Sequence, residues 1–251
     1  MPDVLKNIEA LTDAPNVETL WQSYIRIVAD YGFPKLFYGF TRFRTETSLG
    51  DPQDWVVLSN QSSAYLKVFI DEGQYFNAPM LKWARANEGV CSWRWVEEMA
   101  RSGNLSDAEL KLVEFNRKMG VSAGYTISFK SSTARTKGAV ALSGDANMTQ
   151  DDVEVIWAEH GRALTAISTV MHLKLLTLPY TLKRPLTKRQ REVLEWVGDG
   201  KTTQDIATIM GLTSATVEKH LRLARESLDV DTTAQAVLKA SFYNQMFIVD
   251  A

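Results

Sequence analysis

The sequence predicts two domains of different class. The first is an α+β domain, an α-β-α sandwich around an antiparallel sheet. The second is an all-α domain of four helices. Three observations carry this. Up to Leu175, runs rich in aromatic and β-branched residues interleave with helical patterns. From Leu176 to Pro185 (LTLPYTLKRP) two prolines and a loss of periodicity break both patterns. Beyond that break only amphipathic helical stripes occur, with glycines between the first ones. The expected parts are residues 1–175, a linker at 176–185, and residues 186–251.

In the first part, Val17 to Ala29 reads as a helix with Leu20, Tyr24, Ile25, Ile27 and Val28 as its apolar positions. Leu36 to Phe43 and Asp54 to Ser59 read as strands. Gly124 to Lys130 and Gly138 to Leu142 read as an antiparallel hairpin across the polar loop Ser131 to Lys137. Thr149 to Leu175 reads as one long helix, capped by Thr149 with Asp152. Between these elements, Ser62 to Trp95 concentrates Tyr65, Phe69, Tyr75, Phe76, Trp83, Trp93 and Trp95. One such ring alone is ordinary core. So many together make walls for a small apolar ligand, and a buried Tyr or Trp adds one hydrogen bond for a polar head.

In the second part, Thr187 and Gln190 form a capping box ahead of Val193, Leu194 and Val197, and Gly200 stops that helix. Thr202 or Thr203 starts the next helix, whose apolar side is Ile206, Ala207, Ile209 and Met210; Gly211 ends it. Ser214 is the expected N-cap of the third helix. Val217, Leu221, Ala224 and Leu228 turn inward there, leaving Ala215, Thr216, Glu218, Lys219, Arg222 and Arg225 outside. A short helix, a tight turn and a longer helix make a helix-turn-helix, whose second helix fits a major groove of double-stranded DNA. Thr216, Lys219 and Arg222 suit base edges, and Thr202, Thr203 and Ser214 suit phosphates. A fourth helix begins near Thr232 or Thr233, where Ala236, Val237 and Ala240 offer a small-residue seam for a homodimer. A solvated charged helix explains any one of these positions, but not the whole array.

Composition narrows the function classes. Apolar residues at 45% and charged residues at 23% suit a soluble globular protein. One cysteine, Cys91, rules out a disulfide framework, and His160, His172 and His220 lack ligand spacing, so no metal or cofactor is expected. No membrane-spanning run or signal sequence is read, so a bacterial-type cytoplasm is expected. The net charge is −2, yet ten Lys and Arg face nine Asp and Glu from Lys183 onward. The positive charge is local: Lys183, Arg184, Lys188, Arg189 and Arg191, then the third helix. A module so weakly charged needs two copies for useful affinity. No nucleophile elbow, phosphate loop or ligand cluster suggests an enzyme.

The segment from Leu186 to Leu228 resembles the LuxR-type helix-turn-helix of quorum-sensing regulators and of NarL-class response regulators. Leu186-Thr187, Arg191-Glu192-Val193-Leu194, Trp196, Gly200-Lys201-Thr202, Ile206-Ala207, Thr216-Val217, His220-Leu221 and Gln235-Ala236-Val237 carry the likeness. Gln190 stands for a family glutamate, Glu218 for a family basic residue, and Thr232-Thr233 for Asn-Arg. The first domain resembles the acyl-homoserine-lactone-binding domain of the same regulators, through the spacing of Tyr65, Phe69, Pro79 and Trp93 and the approach of Met119 to Gly124 to the hairpin. The resemblance implies a signal site at Tyr65, Phe69, Asn77, Trp93 and Ser143. In the family, a tryptophan at Trp93 donates to the lactone carbonyl, and an aspartate at Ala78 accepts the signal's amide proton. Alanine cannot accept, and an unpaired buried amide costs about 1–3 kcal/mol. The expected partner is therefore an acyl-homoserine lactone or a different, less polar small molecule.

The leading expectation is a ligand-responsive regulator that binds operator DNA as a homodimer. The alternative is a solo or anti-activator regulator that works by pairing with a related protein, with little ligand dependence. A phosphorylated response regulator would need repeated strand-helix units, which the first half lacks.

Overall fold

The structure is a computed structural model describing residues 3–45, 48–131, 133–180 and 185–248. Two compact units divide it, Met1–Leu176 and Thr177–Ala251.

Unit one begins with helices α1 (Val4–Thr12) and α2 (Val17–Ala29). Strands β1 (Lys35–Thr41) and β2 (Val56–Ser59) follow, then the short α3 (Ser63–Leu66) running into a π turn at Lys67–Asp71. A 3₁₀ turn at Gln74–Asn77 leads into α4 (Pro79–Ala86), β3 (Gly89–Ser92), α5 (Arg94–Arg101) and α6 (Asp107–Lys118). Strands β4 (Gly124–Ser128) and β5 (Lys137–Ser143) form the expected hairpin, and α7 (Gln150–Leu175) closes the unit. Thr149 caps α7 through Asp152, as read from sequence. The five strands form one antiparallel sheet in the order β2-β1-β5-β4-β3.

Alternation gives this sheet two unlike faces. Leu36, Tyr38, Val140, Leu142 and Ile127 point to one side and are buried at 0–2% exposure. There Tyr24 shares a hydrogen bond with Ser168 of α7 at 2.7 Å, and Tyr38 shares one with His172 Nδ1 at 2.8 Å. Phe129 stacks on His172, with ring centroids 4.1 Å apart. The intervening positions, Phe37, Gly39, Thr41, Ala139, Ala141 and Ser143, point the other way. Four of them are small, and that face does not fill itself.

Unit two holds α8 (Lys188–Gly198), α9 (Thr203–Met210), α10 (Ser214–Leu228) and α11 (Thr233–Phe242). Its core is Val193, Leu194, Ile206, Val217, Leu221, Ala224 and Leu228, the predicted stripes. Two expectations are corrected. Ile209 is 48% exposed, because on α9 the inward arc is carried by Ile206, Ala207 and Met210. Ala236 and Ala240 are fully buried within this unit, so those two seam residues are taken up by their own chain, whereas Val237 is only partly buried. The start of the expected linker packs on this unit: Asn244 donates to the Leu178 carbonyl at 3.1 Å, and Gln245 to that of Tyr180 at 2.7 Å. Lys183 and Arg184 lie outside the described residues.

Candidate ligand cavity and nucleic-acid interface

The unfilled face of the sheet is the floor of a cavity of about 670 Å³. Gly39 shows how the sequence makes it: a Cβ built there meets nothing within 4 Å. The roof comes from α3 and the turns after it. Tyr65 stacks on Phe69 at 5.3 Å and on Phe115 of α6 at 5.8 Å. Phe37 of the floor meets Phe69 edge-on at 5.1 Å. Trp55 meets Tyr75 edge-on at 4.9 Å.

Tyr65, Phe69, Trp93 and Ser143 line this cavity together; Asn77 does not. The 3₁₀ turn explains the miss. Three residues per turn put Tyr75 and Ala78 on the same inward side and turn Asn77 away. The Asn77 amide donates instead to Gln74 Oε1 at 3.2 Å. Of the other aromatics singled out in sequence, Tyr75 is a wall residue, whereas Phe76 is 67% exposed. Trp83 and Trp95 are not among the lining residues.

Trp93 differs from its expected use. Its indole N–H donates to Thr126 Oγ1 at 2.9 Å, so this donor already has a partner within the fold. Gly124 permits that placement, since a Cβ there would stand 3.1 Å from the Trp93 ring and 2.2 Å from the Leu142 carbonyl. The Ser143 hydroxyl is similarly engaged, with the carbonyls of Ala123 and Gly144 at 3.3 Å. The polar groups still open to the cavity are others. Burial raises the phenols of Tyr65 and Tyr75, which therefore stay protonated donors. Asn116 lines the cavity, and its Oδ1 is buried without a partner among the described residues. Cys91 stays outside the cavity; burial and then Glu98 push its thiol up to about 11, away from nucleophilic use. Sequence reasoning missed Trp55, Asn116, Arg85 and Lys137 as lining residues. Only the small residues Gly39, Ala139 and Ala141 gave a sequence signal of the hollow.

On α10 the outward residues are as expected, but their partners vary. Lys219 is exposed, with no ion pair among the described residues. Arg222 pairs with Glu226 one turn on. Arg225 donates to Thr233 Oγ1 at 2.9 Å and so ties α10 to α11. Glu218 accepts from Thr203 Oγ1 at 2.9 Å, which occupies one expected phosphate donor. The Thr202 hydroxyl closes a capping box with Asp205 at 2.7 Å.

The N-cap of α10 is Thr213, not Ser214. Thr213 is extended (φ −88°, ψ 152°), and its hydroxyl accepts from the Thr216 amide at 3.2 Å. Ser214 is the first helical residue, and its hydroxyl donates to Gln204 Oε1 at 3.4 Å. Thr213→Ala should therefore cost about 1 kcal/mol in a denaturant melt, and Ser214→Ala only a few tenths (about 0.3 kcal/mol).

A sheet-and-helix domain with a hollow face, followed by a helix-turn-helix, defines a two-domain DNA-binding regulator with a small-molecule compartment. Sequence comparison agrees. The autoinducer binding domain matches residues 16–175, and the domain of bacterial regulatory proteins of the luxR family matches residues 184–240. The chain belongs to this LuxR-type family of autoinducer-binding transcriptional regulators. It is 22% identical over 228 residues to the transcriptional activator ExpR of Dickeya dadantii, covering 86% of each chain. It is 36% identical over 81 residues to the regulatory protein DesR of Bacillus subtilis, covering 30% of this chain and 41% of that one; the chain thus spans under half of DesR. The crystal structure of CepR2 from Burkholderia cenocepacia, an N-acylhomoserine lactone dependent LuxR family transcription factor, superposes with a TM-score of 0.53 at 17% identity. It covers 68% of this chain and 93% of that one, a likeness of fold. No helix among the described residues is long and apolar enough to cross a membrane.

Proposed function

We propose that this chain is a ligand-responsive regulator of transcription. A small, apolar-tailed signal occupies the cavity, and α10 reads operator DNA in a homodimer. The single observation behind this reading is the hollow sheet face under Tyr65, Phe69 and Trp93, kept open by Gly39, Ala139 and Ala141. Burying an apolar ligand there stabilises the arrangement that binds it, and occupancy raises operator affinity by as much as the ligand prefers the DNA-competent arrangement over the other. The signal departs from an ordinary acyl-homoserine lactone, because Ala78 offers no acceptor and the Trp93 N–H is committed to Thr126. Tyr65, Phe69, Trp93 and Ser143 are the proposed ligand contacts. Thr216, Lys219 and Arg222 are the proposed base readers, with Thr202, Thr203 and Ser214 near phosphates.

The test is to purify the chain from its native host, release bound small molecules with solvent, and identify them by mass spectrometry. Operator binding is then measured with and without the released compound. A compound that binds tightly yet leaves operator affinity unchanged rejects the coupling. Lys219→Ala should cost about 1–3 kcal/mol of operator affinity and relax specificity at the base it contacts, measured by titrating operator variants. The second reading, pairing with a related regulator, is favoured by the exposed Glu218 carboxylate on the groove-facing side of α10. Specific operator binding by the pure chain alone counts against it.

A further inference from the structure

The cavity is more positive than its apolar walls suggest. Its lining includes Lys35, Arg85, Arg101, Arg117 and Lys137, against a single carboxylate, Glu97. The whole chain carries a net charge of −2, so this excess is local. Two of the five cations stand in ion pairs, and a third donates to two backbone carbonyls. Arg101 pairs with Glu97 at 3.1 Å, Arg117 with Glu114 at 3.5 Å, and Lys35 donates to the carbonyls of Met119 and Gly120.

Lys137 and Arg85 remain. Lys137 opens β5 on the cavity side, in register with Thr41 of β1, and is only 7% exposed. Its ammonium donates to the Asn87 carbonyl at 2.9 Å, its one hydrogen bond among the described residues, and it has no ion pair there. The nearby carboxylate of Glu88 accepts from the Ser131 amide at 3.1 Å. Asn87 ends α4, whose last turn carries Arg85, so the two cations share one end of the cavity. Arg85 also has no ion pair among the described residues. A buried ammonium with one neutral acceptor is poorly compensated. Burial accordingly holds the Lys137 pKa below the usual lysine range, with Arg44 adding to it and Glu88 opposing it. An anion brought to this end would reverse that strain.

We infer that the ligand is a carboxylate with an apolar body, its anionic head held by Lys137 and Arg85 and its body lying over Ala139 and Ala141 toward Phe69 and Tyr65. This rests on the cavity being a ligand site, as proposed above. A monocarboxylate fits because Ala139, Ala141, Phe37 and Phe69 give an apolar path along the floor from Lys137, and because two cations at the end of α4 suit one carboxylate. The competing account gives Lys137 a purely structural task, tethering the end of α4 through Asn87.

The experiment compares decanoate with methyl decanoate on the full chain, by calorimetry and by tryptophan fluorescence. Decanoate should bind at least about tenfold more tightly than the ester. Lys137→Met should bring the two within about threefold of each other, Lys137→Arg should keep the preference, and Arg85→Met should weaken it. Thermal melts of each variant report folding, and Arg85→Met carries the test if Lys137→Met does not fold. Equal binding of acid and ester overturns the charge assignment while leaving a ligand-binding cavity in place. A preference that survives both Lys137→Met and Arg85→Met overturns it as well. Binding of neither probe up to its solubility limit overturns both the assignment and the cavity reading.

Discussion

The two faces of the five-stranded sheet share a backbone and differ in side-chain size and polarity. On one face Leu36, Tyr38, Ile127, Val140 and Leu142 meet α2 and α7 and leave no room. On the other, Gly39, Ala139 and Ala141 stand where those residues have their neighbours, and the space stays open. A strand cannot change one face without leaving the other, because adjacent side chains point to opposite sides. The first face is therefore closely packed, and the second gives up part of its packing for a compartment.

Three measurements break or sharpen this contrast. The largest effect belongs to the packed face. Leu142 is fully buried there, and Leu142→Ala should cost about 2–5 kcal/mol in a urea melt, through lost burial and a new void. A cost near that of a surface change would mean the packed face is not the stabilising one.

Next in size is an acid response from the same face. His172 is buried, and first that burial and then Arg42 lower its pKa from 6.5 to about 4. Between those values the unfolded chain binds a proton that the native chain refuses. Stability therefore falls as pH drops from about 6.5 to about 4, by about 3 kcal/mol in total. Glu109 acts in a separate, lower window. Lys82 and then Ser106 lower its carboxyl to about 2, so its stabilisation is complete above about 4.5 and is lost toward pH 2. His172→Gln should flatten the upper window in pH-dependent melts and leave the lower one in place; an unchanged upper slope would show that His172 is not its source.

The smallest stability effect belongs to the hollow face. Gly39→Val adds a side chain where nothing lies within 4 Å, so the melting free energy should change by less than about 1 kcal/mol. The same substitution should abolish capture of the ligand, because it occupies the floor. Loss of stability with ligand capture intact would invert the assignment of the two faces.

Much of the fold was legible because it is written in local spacing. The capping boxes at Thr187, Thr202 and Thr232 join residues three apart, as does the Thr149 cap of α7. The stripe Val217, Leu221, Ala224 and Leu228 declared the buried side of α10 without help from the rest of the chain. Where two local candidates stood side by side, as Thr213 and Ser214 do, the closed turn chose between them. The candidate site was less legible. Tyr65, Phe69, Trp93 and Ser143 converge on one cavity, but nothing in their order excluded Asn77.

The sequence by itself determined the helices, most of their caps, the hairpin and the outward-facing side of α10, since each depends on contacts within a turn or across one tight connection. Tertiary structure alone decided that the Trp93 indole N–H donates to Thr126 and that Lys137 enters the cavity beside the end of α4. Those outcomes join residues 33 and 50 positions apart, across strands and the helix end that only the finished sheet brings together.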